Sequence, residues 1–234
     1  LGVALSVREA AERLRVTEQE VRRLIGVREL AATRFGGSGQ WQVDAAAVDQ
    51  RVARRPVKWR PWVPAVAWAA MWLLSGLGVD WLSRGDLARL RRRLAAIDDL
   101  DVLVASLRRR AAVEYGRILP EYVDRVASAQ GVVRTGVSAT AETGADLVST
   151  GAVDLYCAPD QRPSLIARYG VDLSSANSNL TLRTPTGDGL PVLVDRDVMP
   201  PAVVAVDLYE SLDPRTHRAG HDVLVRLIEQ VAGS

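Results

Sequence analysis

Cysteine, lysine and histidine are nearly absent from this chain of 234 residues, and the scarcity of cysteine and histidine narrows the classes of protein it can be. A single cysteine, Cys157, cannot build a disulfide framework. Lying in an apolar run, it reads as a small buried hydrophobe, and a reducing cytoplasm is the expected setting. His217 and His221 stand four apart on an expected C-terminal helix, a spacing that could serve a metal. No third ligand stands near them, so no zinc site and no cofactor are expected. Lys58 is the only lysine among 30 basic residues, a bias that a GC-rich genome explains as readily as guanidinium chemistry. No basic stretch followed by an apolar core and a cleavage site opens the sequence, so nothing directs secretion. Catalytic signatures are missing too: no Ser-His-Asp grouping with a supporting motif, no Walker loop, and no Gly-x-Gly-x-x-Gly after a strand.

One uncharged run, Pro61 to Val79, covers 19 residues. Pro61 and Pro64 break its start and Gly76 and Gly78 its end, leaving Ala65 to Ser75 as helix. That is about half the length a bilayer requires, so a buried core helix is expected and no membrane partner.

What is present is a globular composition, 48% apolar and 25% charged, enough for two or three domains. Net charge is +2 but unevenly spread: residues 1–110 carry 20 Lys+Arg against 12 Asp+Glu, net +8, whereas residues 111–234 carry 10 against 16, net −6. The front suits a polyanion and the back does not.

Ser6 to Trp41 is the most informative stretch. Ser6 with Glu9, and Thr17 with Glu20, are two capping boxes that each announce a helix. Ala10, Ala11 and Leu14 share a face of the first helix, and Val21, Leu24 and Ile25 a face of the second. Only Arg15 and Val16 remain for the turn. Two short helices so joined make a helix-turn-helix unit, whose second helix offers Thr17, Glu18, Gln19, Arg22 and Arg23 to base edges. Arg34, the tip Gly36-Gly37-Ser38-Gly39, and Gln40-Trp41-Gln42-Val43-Asp44 then form a hairpin. A further helix, Asp44 to Arg54, with Ala47, Val48 and Val52 inward, closes the domain.

The Leu-Ser-Val-Arg-Glu-Ala-Ala opening, the Val-Arg-Arg-Leu-Ile core and the Arg-x-Gly-Gly wing closing on Trp-x-Val-Asp resemble excisionase and MerR-type winged helices over residues 5–53. The resemblance implies that Gln19, Arg22 and Arg23 read or position DNA, with Thr17 beside them, and that Arg34 and Gln40 grip its backbone.

Three prolines force Pro56 to Pro64, PVKWRPWVP, to run extended. It is either a basic arm in which Lys58 and Arg60 follow a groove or a linker whose tryptophans pack on the next domain. Ser83 with Asp86 caps a helix whose Leu87, Leu90 and Leu94 face inward. Its Arg91, Arg92 and Arg93 are a solvated side or a second phosphate-contacting surface. A helix from Leu100 to Arg110 completes a helical middle domain.

Beyond it, short apolar strands alternate with helices: strands at Val113–Ile118, Val132–Thr135, Ala152–Cys157, Asn179–Arg183 and Val192–Asp195, and helices at Pro120–Ala129, Thr140–Asp146, Pro163–Tyr169, Ala202–Ser211 and Pro214–Val231. Gly136-Val137-Ser138 followed by Val153-Asp154-Leu155-Tyr156 has the layout of a nucleotidyltransferase, a Gly-Ser turn before a strand bearing metal-binding carboxylates at i and i+2. Tyr156 replaces the second carboxylate, and a phenol cannot hold the metals at neutral pH. No enzyme activity is expected.

Thr135-Gly136-Val137-Ser138-Ala139, Gly144-Ala145-Asp146-Leu147, Asn179-Leu180-Thr181-Leu182-Arg183, Pro201 to Leu208 and Asp213-Pro214-Arg215 together resemble the C-terminal domain of AbiEi-type antitoxins of type IV toxin-antitoxin systems. That family implies a DNA-binding autorepressor whose C-terminal domain, over about residues 113–230, counters a nucleotidyltransferase-like toxin. The excisionase-like head and the Trp-rich middle depart from its pattern.

The expectation is an α+β chain of three domains: a winged helix-turn-helix over residues 1–55, a helical middle over 56–112, and an acidic α/β effector resembling a degenerate nucleotidyltransferase over 113–234. Its expected partners are duplex DNA and a protein toxin. The alternatives are a phage or mobile-element repressor or excisionase with a second DNA-binding domain, and an active nucleotidyltransferase.

Overall fold

The computed structural model describes residues 4–27, 29–35, 39–45, 47–48, 51, 60–144, 151–175, 178–187 and 189–232. The fold is mixed α+β with two small sheets. The chain divides into two compact units, Leu1–Pro56 with Ser211–His217, and Val57–Glu210 with Arg218–Ser234.

The first unit opens with strand β1 (Ala4–Ser6), helix α1 (Val7–Leu14) and helix α2 (Glu18–Gly26). The capping box at Ser6 is complete: its Oγ accepts the Glu9 N–H at 3.2 Å, and the Glu9 carboxylate accepts the Ser6 N–H at 2.7 Å. At Thr17 only half of the expected box forms. Its Oγ1 accepts the Glu20 N–H at 3.2 Å, but the Glu20 carboxylate turns to Arg23 instead. Between the helices Arg15 takes a left-handed conformation, φ 55°, which lets the Val16 N–H reach the Ala11 carbonyl at 3.0 Å and stops α1 in two residues.

Strands β2 (Ala32–Phe35) and β3 (Gln40–Asp44) follow, and β3 lies between β1 and β2, antiparallel to both. Ala10, Val21, Leu24, Leu30, Val43, Ala47 and Val48 are buried together as the core of the unit. Ala45, Ala47, Val48 and Arg51 are helical; Val52 lies outside the described residues.

In the second unit a four-stranded sheet has the order β4 (Ala111–Gly116), β7 (Leu180–Pro185), β6 (Val153–Cys157), β5 (Val132–Arg134). Only the β6–β7 pair is parallel. Residues alternate across β6 as a strand requires. Val153, Leu155 and Cys157 enter one core with Leu165, Leu180 and Leu182, while Tyr156 enters the other. Burial pushes the Cys157 thiol up to about 11.

That other core is built largely from helices. Helix α3 (Pro64–Leu74) is apolar all round and buries seven residues, Trp68 and Met71 completely. Helix α4 (Arg84–Ala95) buries Leu90 and Leu94, and helix α5 (Leu100–Leu107) buries Leu103 and Leu107. They pack in one cluster with Tyr156, Val192, Met199 and helix α8 (Pro201–Tyr209), which is buried along its length. Polar contacts tie the same elements. Ser75 Oγ accepts the Ala202 N–H at 3.0 Å, the Tyr209 hydroxyl donates to Asp101 at 2.9 Å, and the Trp68 indole donates to the Thr186 carbonyl at 3.2 Å.

Residues 56–112 are therefore not the separate middle domain expected from sequence: their apolar faces are completed by residues from beyond 133. A second difference is Val192–Asp195, which is not a strand. Asp195 takes φ 52°, which turns the chain, and leaves Val194 exposed. Elsewhere the helical segment Pro120–Ala129 begins as a 3-10 turn at Pro120–Tyr122 and continues as α6 (Val123–Ala127). A four-residue helix at Thr140–Thr143 ends on left-handed Gly144, and α7 (Arg162–Tyr169) ends on left-handed Gly170. Helix α9 (Pro214–Ala232) closes the chain. Among the described residues no helix is long and apolar enough to cross a membrane.

Candidate functional site

In the first unit the exposed face of α2 carries Glu18, Gln19, Arg22 and Arg23, because Val21, Leu24 and Ile25 claim the other face. Its charges are locally matched. Arg22 Nη2 lies 2.8 Å from Glu18 Oε2, and Arg23 forks onto the Glu20 carboxylate at 2.7 and 2.8 Å. That hydrogen bond holds the Glu20 carboxyl below its ordinary range and Arg23 above its own. All four side chains are solvent-facing, so these pairs are weak. Thr17 is different: its side-chain oxygen is occupied as the cap of α2.

Arg34 stands opposite Trp41 in the β2–β3 register, with its guanidinium 4.7 Å from the centre of the indole. This stacking holds the guanidinium flat on the hairpin. Gln40 is exposed opposite Phe35, where the hairpin opens toward its tip. Thus α2 gathers Thr17, Gln19, Arg22 and Arg23, and the hairpin gathers Arg34 and Gln40. Arg60 is exposed but belongs to the second unit, and Lys58 lies outside the described residues.

The second unit holds a buried ionic cluster that sequence reasoning missed except for Asp154 and Tyr156. Asp207, 1% exposed, stands at its centre. Its carboxylate accepts from Arg110 Nη2 at 2.6 Å, from the Thr135 hydroxyl at 2.5 Å and from the Tyr156 hydroxyl at 3.3 Å. Arg110 also forks onto Glu210 at 2.6 and 3.1 Å. Arg183 Nε is 3.1 Å from Asp207 Oδ1, but misaligned, so this is an ionic contact without a hydrogen bond.

Burial opposes charge on Arg110, yet Glu210, Tyr156 and Asp207 outweigh it and raise its pKa well above the ordinary value. Arg183 is raised in the same way, chiefly by Asp207 and Asp154. Burial pushes the Tyr156 hydroxyl above its ordinary range, so it stays a neutral donor.

The Gly136 turn and Asp154 do meet. The Val137 N–H donates to Asp154 Oδ2 at 3.2 Å, and the Asp154 N–H donates to Ser138 Oγ at 2.9 Å. Gly136, at φ +48°, leaves only 2.1 Å between a would-be Cβ and that carboxylate, so any other residue there would strain the backbone and displace Asp154. Asp154 is 9% exposed, is raised in pKa by burial, and faces Arg183 Nη1 at 4.0 Å. Tyr156 lies on the same strand face, fully buried against Trp68. Two guanidinium groups already occupy the surroundings of these acids. Among the described residues no group of three or more His, Cys, Asp or Glu is placed to hold a metal ion. His221 instead sits 3.0 Å from Asp222 and stacks on Tyr209.

The chain matches no protein-family model, no curated protein and no solved structure.

Proposed function

We propose that this protein is a sequence-specific DNA-binding transcriptional regulator, and that it acts as an autorepressing antitoxin against a nucleotidyltransferase-like toxin. The observation that carries the DNA reading is the pairing of α2 with the hairpin. One exposed helix face offers Gln19, Arg22 and Arg23, and the adjoining β-ribbon offers Arg34 and Gln40. A helix so exposed fits a major groove, and a winged helix lays its ribbon along phosphates. The antitoxin reading is supported by the AbiEi-like motifs of residues 113–230.

Transfer chemistry is disfavoured by Asp154. It is buried, engaged with the Gly136 turn and opposed by Arg183, where catalysis needs an accessible pair of metal-binding carboxylates. The protein serves instead as a binding module.

Sequencing DNA that copurifies with the protein defines its target. On that duplex, Arg22→Ala or Arg23→Ala weakens binding by roughly ten- to a hundredfold where the side chain reaches a base. Binding equal to the parent's by both variants on every duplex refutes the assignment of α2. Labelled nucleotide incorporation that disappears in Asp154→Ala restores the enzyme reading. Coexpression of residues 57–234 with the neighbouring toxin gene tests the effector: relief of growth arrest supports it, and relief by the full chain alone overturns it.

A further inference from the structure

Among the described helices, α2 is not where positive charge goes uncompensated. There Glu18 and Glu20 match Arg22 and Arg23. It does so on α4, where Arg84, Arg89, Arg91, Arg92 and Arg93 are exposed and Asp86 is the only acid in the helix.

The helical turn explains the arrangement. With Leu87 half-buried and Leu90 and Leu94 buried, successive steps of about 100° place the five arginines outside the leucine stripe, spread over about 200° of the helix with Arg91 flanking the leucines. Arg84 and Arg91 line up at i, i+7, and Arg89, Arg92 and Arg93 at i, i+3, i+4. Asp86 is committed: it caps α4 through Ser83 and pairs with Arg89. Among the described residues Arg84, Arg91, Arg92 and Arg93 form no ion pair with an acid. Like charges at i, i+4, such as Arg89 and Arg93, oppose helix formation, although the Arg89–Asp86 pair and the place of Arg92 and Arg93 in the last turn offset part of this. The leucines alone hold α4 in the core.

We propose that this face of α4 is a second phosphate-gripping surface for duplex DNA, a sequence-independent clamp in the unit that does not carry α2. It rests on the duplex-DNA reading given above. Guanidinium groups spread over an arc suit phosphates along one strand, and each contact releases condensed counterions. The division of labour follows from the charges: α2, neutral overall, selects sequence, and α4 supplies salt-dependent affinity.

The test uses the full chain, a fluorescent mixed-sequence duplex of about 30 base pairs, and a salt series from about 50 to 200 mM. Arg91→Gln, Arg92→Gln and Arg93→Gln combined keep the helix propensity of α4 and touch no buried residue. If all three contact phosphates, the slope of log affinity against log salt falls by about 2.7, roughly 0.9 per contact. An unchanged slope, with an unchanged melting midpoint, overturns the proposal and leaves the reading of α2 intact. Arg22→Ala with Arg23→Ala, measured in parallel, tests α2 by itself: unaltered sequence preference there sinks that reading and leaves the slope result standing. Phosphatidylglycerol vesicles form the last arm. Vesicle binding that needs the three arginines, in a protein that does not bind the duplex, assigns the face to lipid and refutes a DNA clamp.

Discussion

Asp207→Asn isolates the term that holds the second unit in one arrangement. The substitution keeps the shape of the side chain and removes the one charge shared by Arg110 and Arg183, both at most 5% exposed in their side chains. In the native cluster Asp207 accepts three hydrogen bonds, from Arg110, Thr135 and Tyr156. An amide can accept at one oxygen only, so its NH2 must face a hydroxyl or guanidinium donor. Removing one partner of a buried pair costs about 3–5 kcal/mol, because the stranded charge stays desolvated. Against a typical total of about 5–15 kcal/mol, this brings the unit near unfolding at room temperature. Urea unfolding followed by tryptophan emission reads it selectively, since Trp62, Trp68, Trp72 and Trp81 lie in this unit and Trp41 alone in the other. A midpoint shift worth less than about 1 kcal/mol, the range of exposed pairs, would show that water reaches the cluster and would refute the argument. Glu210→Gln serves as the internal comparison. Its side chain is 25% exposed, so its loss is expected to be the smaller.

Gly220→Ala should destabilise despite alanine's better helix propensity, because its Cβ would meet the Tyr209 backbone N at 2.3 Å and the Ala205 O at 2.7 Å. The net cost is about 1–3 kcal/mol from overpacking, and a rise in melting temperature would contradict it. Arg15→Gly should stabilise the first unit by about 1 kcal/mol, since glycine enters φ 55° without a Cβ clash; hydrogen exchange of α1 and α2 amides measures it. Acid stability should carry a Glu210 component. Burial alone would raise its pKa, but Arg110 outweighs this and holds it below the ordinary carboxyl range. Its contribution is thus present above the unfolded pKa and lost as pH falls through the lower folded one, so Glu210→Gln should flatten the acid limb of stability relative to the parent. An identical limb in the variant would refute it.

Much of the first unit could be read from sequence because its signals are local. Ser6 and Thr17 mark helix starts, and the 3.6-residue spacing of Val21, Leu24 and Ile25 picks the buried face of α2. The ionic cluster was hidden because its members lie on α8, β6, β7 and the turn before β4, and no short window contains two complementary charges. A trace existed: Asp207 is a lone carboxylate in the apolar run Pro201–Tyr209, and Arg183 a lone cation in Leu180–Pro185. A charge in a largely apolar element tends to need a partner, so each was a reason to look for one. Val192–Asp195 misled for the opposite reason. Its short apolar run suits a strand, but a left-handed Asp195 ends any ladder there.

The onset of strands alternating with helices after residue 112, where the net charge also reverses, suggested a domain boundary that the core does not respect. Charge at that point follows exposed arginines, whereas a boundary follows where apolar contacts stop. Trp68 of α3 is fully buried, with its ring centre 5.7 Å from that of Tyr156 on β6, so separating residues 113–234 would strip the sheet of one face. Residues 57–234 carry 20 Lys+Arg against 21 Asp+Glu, net −1, where residues 111–234 alone carry net −6. Uniform acidity therefore cannot select a basic partner for the second unit. Any such selection has to come from local arrangements of charge rather than from the net charge of the unit.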